Sequence, residues 1–104
     1  MPTFMTVSKH TPENCPMFSE KHRKSFQEMM AKMENLTKKH GVKMIGSWTN
    51  FPLHTIYMIF EGTLDAVNKL MMEPEILGML SWNIMETTNV VTMEEVSAML
   101  KKAK

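Results

Sequence analysis

The sequence predicts an α+β domain, in the order β-α-β-β-α-β with one further helix at the C-terminus. Three observations predict it. Four stretches, residues 3–10, 42–50, 54–61 and 83–91, are rich in β-branched and aromatic residues or alternate in polarity. Between the first two, Phe26, Met29, Met30, Met33 and Leu36 recur at the i, i+3, i+4, i+7 spacing of an amphipathic helix. Glycine, proline and threonine punctuate the junctions. At 104 residues the chain has the length of one domain, 1–104, since domains typically run roughly 100–150 residues.

The elements follow in order. Residues 3–10 (TFMTVSKH) form the first strand. Residues 10–16 (HTPENCP) hold two prolines and read as a backbone-restricted loop. A helix over 17–40 ends at Gly41, after Lys38, Lys39 and His40, whose charge suits a helix C-terminus. The second and third strands, 42–50 and 54–61, are joined by a short turn at Phe51-Pro52-Leu53, and Gly62 closes the third. Thr63 caps a second helix with Ala66, Val67, Leu70 and Met71 on its inner face. Pro74 interrupts it, and the helix resumes over 75–81. The fourth strand is 83–91. Thr92, with Glu95 three residues on, opens a last helix, 93–102, through a capping box. Two split βαβ units in succession build a ferredoxin-like sandwich: one antiparallel sheet in the order 4-1-3-2, with helices on one face.

Bulk properties exclude several functions. Twelve basic against eleven acidic residues leave a net charge of +1, which gives no electrostatic basis for binding nucleic acid or an anionic membrane. No apolar run approaches the ~20 residues that span a bilayer. A single cysteine, Cys15, cannot form an intrachain disulfide, and with no signal-peptide pattern at the start this points to the cytoplasm. Glycine-rich phosphate loops, nucleophile elbows and dinucleotide fingerprints are absent from the sequence. The fourteen methionines fall largely at core spacings and read as core filling rather than as a copper-binding array.

The topology gathers chemistry at one edge. Tracing strand directions brings His10, Cys15, His22, Trp48, His54 and Trp82 to the same end of the sheet, and sends His40 to the other. His22 lies four, seven and eleven residues before Phe26, Met29 and Met33, so it shares their inward stripe, where its ring nitrogens need partners. Imidazole and thiolate together suit Zn²⁺ or Ni²⁺, so His10, Cys15, His22 and His54 are candidate metal ligands. Thr6, Ser8 and His10 share a strand face by the period of two, as a polar pocket wall. Tyr57 and Glu86 can add polar groups, on a side that the mixed pattern of their strands leaves open.

The order of elements resembles the dimeric α+β barrel superfamily, which includes antibiotic-biosynthesis-type monooxygenases, muconolactone isomerase-like proteins and small nickel-binding proteins. The segment His10-Thr11-Pro12-Glu13-Asn14-Cys15-Pro16, the run Gly41-Val42-Lys43 and the stretch 54–61 leading into Leu64-Asp65-Ala66 resemble a family of short uncharacterised prokaryotic domains. The resemblance implies a homodimer with its sheets face to face and a pocket between sheet and helices.

The leading expectation is a dimer that binds a small ligand or a metal at the end of the first strand. The alternative is a cofactor-free monooxygenase- or isomerase-like enzyme acting on a small aromatic or carbonyl substrate. There the same histidines are acid–base groups, and Trp48, Trp82 and Tyr57 line the pocket. A third reading is a partner protein with no site of its own.

Overall fold

The computed structural model describes residues 2–103. Strand β1 (Thr3–Lys9) leads through a 3₁₀ turn (Pro12–Asn14) to helix α1 (Glu20–His40). Strands β2 (Lys43–Asn50) and β3 (Thr55–Glu61) precede helix α2 (Leu64–Met71), the one-turn helix α3 (Pro74–Leu77) and a second 3₁₀ turn (Gly78–Ser81). Strand β4 (Ile84–Val90) and helix α4 (Met93–Lys102) complete the chain. The sheet is four-stranded and antiparallel in the order β2-β3-β1-β4, an α+β arrangement compatible with a ferredoxin-like fold.

Helix α1 starts three residues later than the sequence pattern predicts. Cys15 C=O accepts from both Phe18 and Ser19 N–H at 2.8 Å, which closes a separate turn ahead of the helix. Ser19 then caps α1, its hydroxyl accepting from His22 N–H at 3.3 Å. At the other end Gly41 sits at φ 68°, the left-handed conformation that glycine adopts at least cost, and Val42 N–H returns to Thr37 C=O. Thr63 and Thr92 cap α2 and α4 by accepting from Ala66 and Glu95 N–H. His10, His54 and Asn83, expected at strand ends, lie just outside the strands.

One face of the sheet packs on the helices. Phe4, Thr6 and Ser8 of β1 and Ile56, Met58 and Phe60 of β3 are buried there, against Met29, Met33 and Leu36 of α1 and Val67 and Leu70 of α2. Four of the core residues are methionines that are nearly or wholly buried (Met29, Met33, Met58 and Met79). Their flexible thioethers fill the gap between a twisted sheet and helices of unequal length. Polar contacts tie α1 to the start of α3. Lys39 Nζ and His40 Nε2 each stand 2.7 Å from Glu73 Oε1, and their hydrogen bonds hold the Glu73 carboxyl below its usual range.

The opposite face is uncovered. Register places Met5, Val7, Tyr57, Ile59, Trp48, Ile84 and Glu86 on it, with Tyr57 and Glu86 flanking Val7 on either side. Trp48 is 56% and Ile84 76% exposed. The Trp48 ring lies over Gly46, where a Cβ would come within 2.5 Å of it. Helix α4 buries none of its residues. Among the described residues no helix is long and apolar enough to cross a membrane.

Phe60, on the central pair β1–β3, carries the largest of the wholly buried side chains. Phe60→Ala is expected to destabilise the fold by about 3–5 kcal/mol, the usual cost of emptying a phenylalanine site. Urea unfolding followed by circular dichroism measures it.

Candidate functional site

The site begins where β1 and β3 stop pairing. Lys9 faces Thr55 as the last rung, and one further backbone bond, His10 N–H to His54 C=O at 3.2 Å, continues beyond it. That bond places the two histidines side by side, with ring centroids 5.7 Å apart at 62°. The two prolines then bend the chain through the 3₁₀ turn, and Cys15 N–H closes on Pro12 C=O. Cys15 is thereby turned back under the sheet edge and left only 3% exposed. Donor atoms of His10, Cys15 and His54 all lie within 4.8 Å of one another. Ligands of one tetrahedral ion, with bonds of ~2.0–2.3 Å, stand roughly 3.3–3.7 Å apart. Side-chain rotations that move each donor by about an ångström close that difference.

The protonation of His10 follows from its neighbours. Asn83 Nδ2 donates to Met79 C=O at 3.1 Å, so Asn83 Oδ1 is the acceptor facing His10. His10 Nδ1, 3.0 Å away, must then be the donor. In the neutral ring Nε2 keeps a free lone pair, and it is buried with no hydrogen-bond partner among the described residues. His54 Nδ1 is buried and unpartnered in the same way. An apolar core tolerates such groups poorly, because desolvation without a partner costs on the order of 1–3 kcal/mol each. His54 also adopts φ 49°, the only non-glycine residue described with positive φ, a conformation costing roughly 1–2 kcal/mol. An unpaired nitrogen and backbone strain thus coincide at His54.

Burial pushes the His10 imidazolium below its ordinary value of 6.5. Positive charge on His54 and His22 acts in the same direction, against the Asn83 hydrogen bond. His10 is therefore neutral near pH 7, the state that a metal ligand requires.

His22 stands apart from this triad. Its Nδ1–H donates to Asn14 C=O at 3.1 Å, and its ring stacks on Trp82, centroids 4.7 Å apart and planes within 13°. Trp82, 5% exposed, also touches the His10 ring at 5.6 Å, so it fills the space between the two histidines. Thr6 and Ser8 lie deeper on the helix-facing side, Thr6 Oγ1 bonded to Thr87 Oγ1 at 2.9 Å. Trp48 and Tyr57 are register partners on the uncovered face, away from the triad. The strand face expected to unite Thr6, Ser8 and His10 thus reaches the triad only through His10.

Beside the triad opens a cavity of about 350 Å³. His10, Cys15 and His54 form one wall, and Pro16, Met17, Phe26, Phe51 and Ile56 give it an apolar lining. Arg23, Gln27 and Thr49 complete it. Sequence reasoning missed Asn83, Arg23 and the two phenylalanines. An asparagine directly after Trp82 at a strand start was the one available signal for Asn83, and it needed a partner 73 residues away to acquire meaning.

No family model matches the chain, and no curated protein does. The fold is similar to the crystal structure of protein Atu4242 from Agrobacterium tumefaciens, a structural-genomics target. The TM-score is 0.59 at 14% identity, over 88% of this chain and 92% of that one. At that identity the likeness concerns the fold alone.

Because His10 has a lower pKa folded than unfolded, its contribution to stability is complete above about pH 6.5, where both states are neutral. It is lost as pH falls below that value and the unfolded state takes up the proton first. The urea midpoint of the metal-free protein should therefore drop between pH 7.5 and 5, and His10→Gln should flatten part of that slope. An unchanged slope in the variant would show that His10 does not titrate as described.

Proposed function

We propose that the chain is a metal-binding protein, with His10, Cys15 and His54 as ligands of one zinc or nickel ion and a fourth coordination position open to the cavity. The observation that carries this reading is the meeting of donor atoms of His10, Cys15 and His54 within 4.8 Å, in a place where two buried ring nitrogens, His10 Nε2 and His54 Nδ1, have no hydrogen-bond partner among the described residues. Two imidazoles and one thiolate are borderline donors that suit either ion, and a three-ligand set with an open position is the pattern of reactive rather than purely structural sites. Asn83 serves as the outer partner that fixes the His10 tautomer. Trp82 and His22 form the packed support behind it. A reduced thiol as ligand fits a cytoplasmic setting.

The second part of the proposal is a homodimer in the manner of the dimeric α+β barrels. The uncovered sheet face exposes Trp48 and Ile84 and half-buries Met5, Val7, Tyr57 and Ile59. The register sets Met5 beside Ile59 and both Val7 and Trp48 beside Tyr57, a contiguous apolar face of the kind that pairs with a second copy. A second reading, acid–base catalysis on a small molecule without any metal, draws on the cavity, whose volume lies in the range of ligand sites, ~300 Å³ or more. The two differ in whether purified protein takes up metal.

Titration of zinc or nickel into chelator-treated protein should give one ion per chain. Cys15→Ser and His54→Ala should each weaken binding at least tenfold, and Asn83→Leu, which touches no ion, by roughly 10–100-fold. Absence of stoichiometric uptake, or uptake indifferent to Cys15 and His54, would sink the metal reading and leave the metal-free one. Separately, sedimentation should show a dimer, and Val7→Asp, at the middle of the uncovered face, should shift it to monomer. A wild-type monomer at micromolar concentration rules out the dimer.

A further inference from the structure

We infer that the cavity beside the triad binds a small apolar monocarboxylate, with its acid group on Arg23 and its apolar body directed at the metal position. The inference rests on the proposed metal site for one point only, what the inner end of the ligand meets. Four observations support it, all concerning the cavity itself.

Outside the triad the lining is largely apolar. Phe26, Phe51, Ile56, Met17 and Pro16 offer rings and aliphatic surface, and the volume of about 350 Å³ takes a single-ring molecule. No acidic residue lines the cavity, and Arg23 is its one permanent cation. The guanidinium is held in place rather than free: Nε donates to Pro16 C=O at 2.9 Å and Nη2 to Met17 C=O at 3.1 Å. Those two bonds pin the plane against the turn that presents Cys15 and leave Nη1 without a protein partner among the described residues. No carboxylate pairs with Arg23 there either, although Glu20, three residues away, pairs with Lys24 instead.

The remaining polar capacity is small. The Thr49 hydroxyl already donates to Thr55 C=O at 3.1 Å, which leaves Gln27 as the one neutral side chain outside the triad whose hydrogen-bonding groups have no partner among the described residues. A sugar or a polyphosphate placed here would lose several water hydrogen bonds without replacement, each at a cost of about 1–3 kcal/mol. A molecule with one anionic group and an apolar body loses almost none. A positioned guanidinium prefers a planar carboxylate, which it can meet through two parallel N–H donors or through one, while an ammonium is indifferent to plane. Arg23 is exposed, whereas Cys15 and the ring nitrogens His10 Nε2 and His54 Nδ1 are buried, so the acid group lies at the mouth and the body fills the interior.

The test is calorimetric titration of the zinc-treated protein with benzoate and with benzamide, its uncharged counterpart of the same shape. One benzoate should bind per chain, at least tenfold more tightly than benzamide. Arg23→Gln should bring benzoate down to the level of benzamide. Since Arg23 also tethers the Cys15 turn, a second variant is needed that leaves the turn alone. Phe51→Asp, at an exposed wall position, should reject benzoate and still admit benzamide. Equal binding of the two probes by the wild-type protein, no benzoate binding at millimolar concentration, or a preference that survives Phe51→Asp, overturns the inference. Zinc content measured in the same samples keeps the two proposals apart. Benzoate preference without zinc uptake removes the metal and retains the carboxylate site, whereas zinc uptake without that preference does the reverse.

Discussion

The register of β1 against β3 is the constraint on which the rest of the site depends. With Lys9 opposite Thr55, the ladder can extend by one more bond, from His10 N–H to His54 C=O. A slip of one residue would separate the histidines and would also turn Phe4, Thr6 and Ser8 out of the core. Core burial and site geometry therefore select the same register. Wholly buried Met58 and Phe60 on β3 and Met29 on α1 hold that register by their fit, and the histidines at the open end inherit it.

The site itself is built from groups that a purely structural design would avoid. A histidine in left-handed backbone, two buried ring nitrogens without partners and a buried thiol lie within one small volume. Each is unfavourable for folding alone. Several neighbours are engaged, His22 with Asn14, Asn83 with Met79 and His10, Thr49 with Thr55, whereas Trp82 Nε1 and Ser8 Oγ are buried without a partner among the described residues. Unpartnered polar atoms gathered around a buried thiol indicate a place shaped for something that binds. At the far end of the molecule, Glu73 meets Lys39 and His40 in a fully paired cluster. There a histidine serves to join two helices through its hydrogen bond to Glu73.

Much of this was legible in the chain. The stripe Phe26, Met29, Met33, Leu36 marks α1 because a 3.6-residue period leaves no other way to bury those residues together. Gly41 and the threonines at 63 and 92 mark helix ends because backbone donors and acceptors there need partners. His10, Cys15 and His54 could be placed at one edge from strand direction alone, while their closeness within 4.8 Å could not. His22 shows the limit. Its phase on the helix puts it on the inward stripe, and it does lie inward, yet its ring is taken by Trp82 and the Asn14 carbonyl. Helical phase states which way a side chain leaves the backbone, and says nothing of the nearest acceptor on another element. Tyr57 and Glu86 were likewise ambiguous, since mixed polarity on β3 and β4 hides which face is covered, and Trp48, expected in the pocket, pairs with Tyr57 on the uncovered face.

The sequence by itself determined the kinds of element, their order, their caps and the end of the sheet where the histidines and the cysteine collect. These follow from local periodicity and backbone hydrogen-bonding needs, which act over a few residues. Only the tertiary structure decided which histidine nitrogens are left free, which face stays uncovered and that Arg23 stands at the mouth of an apolar cavity. Those depend on contacts such as His10 with Asn83, made between residues far apart in the chain. Such contacts exist only once the sheet register and the loop after Pro12 have brought the partners within a few ångströms.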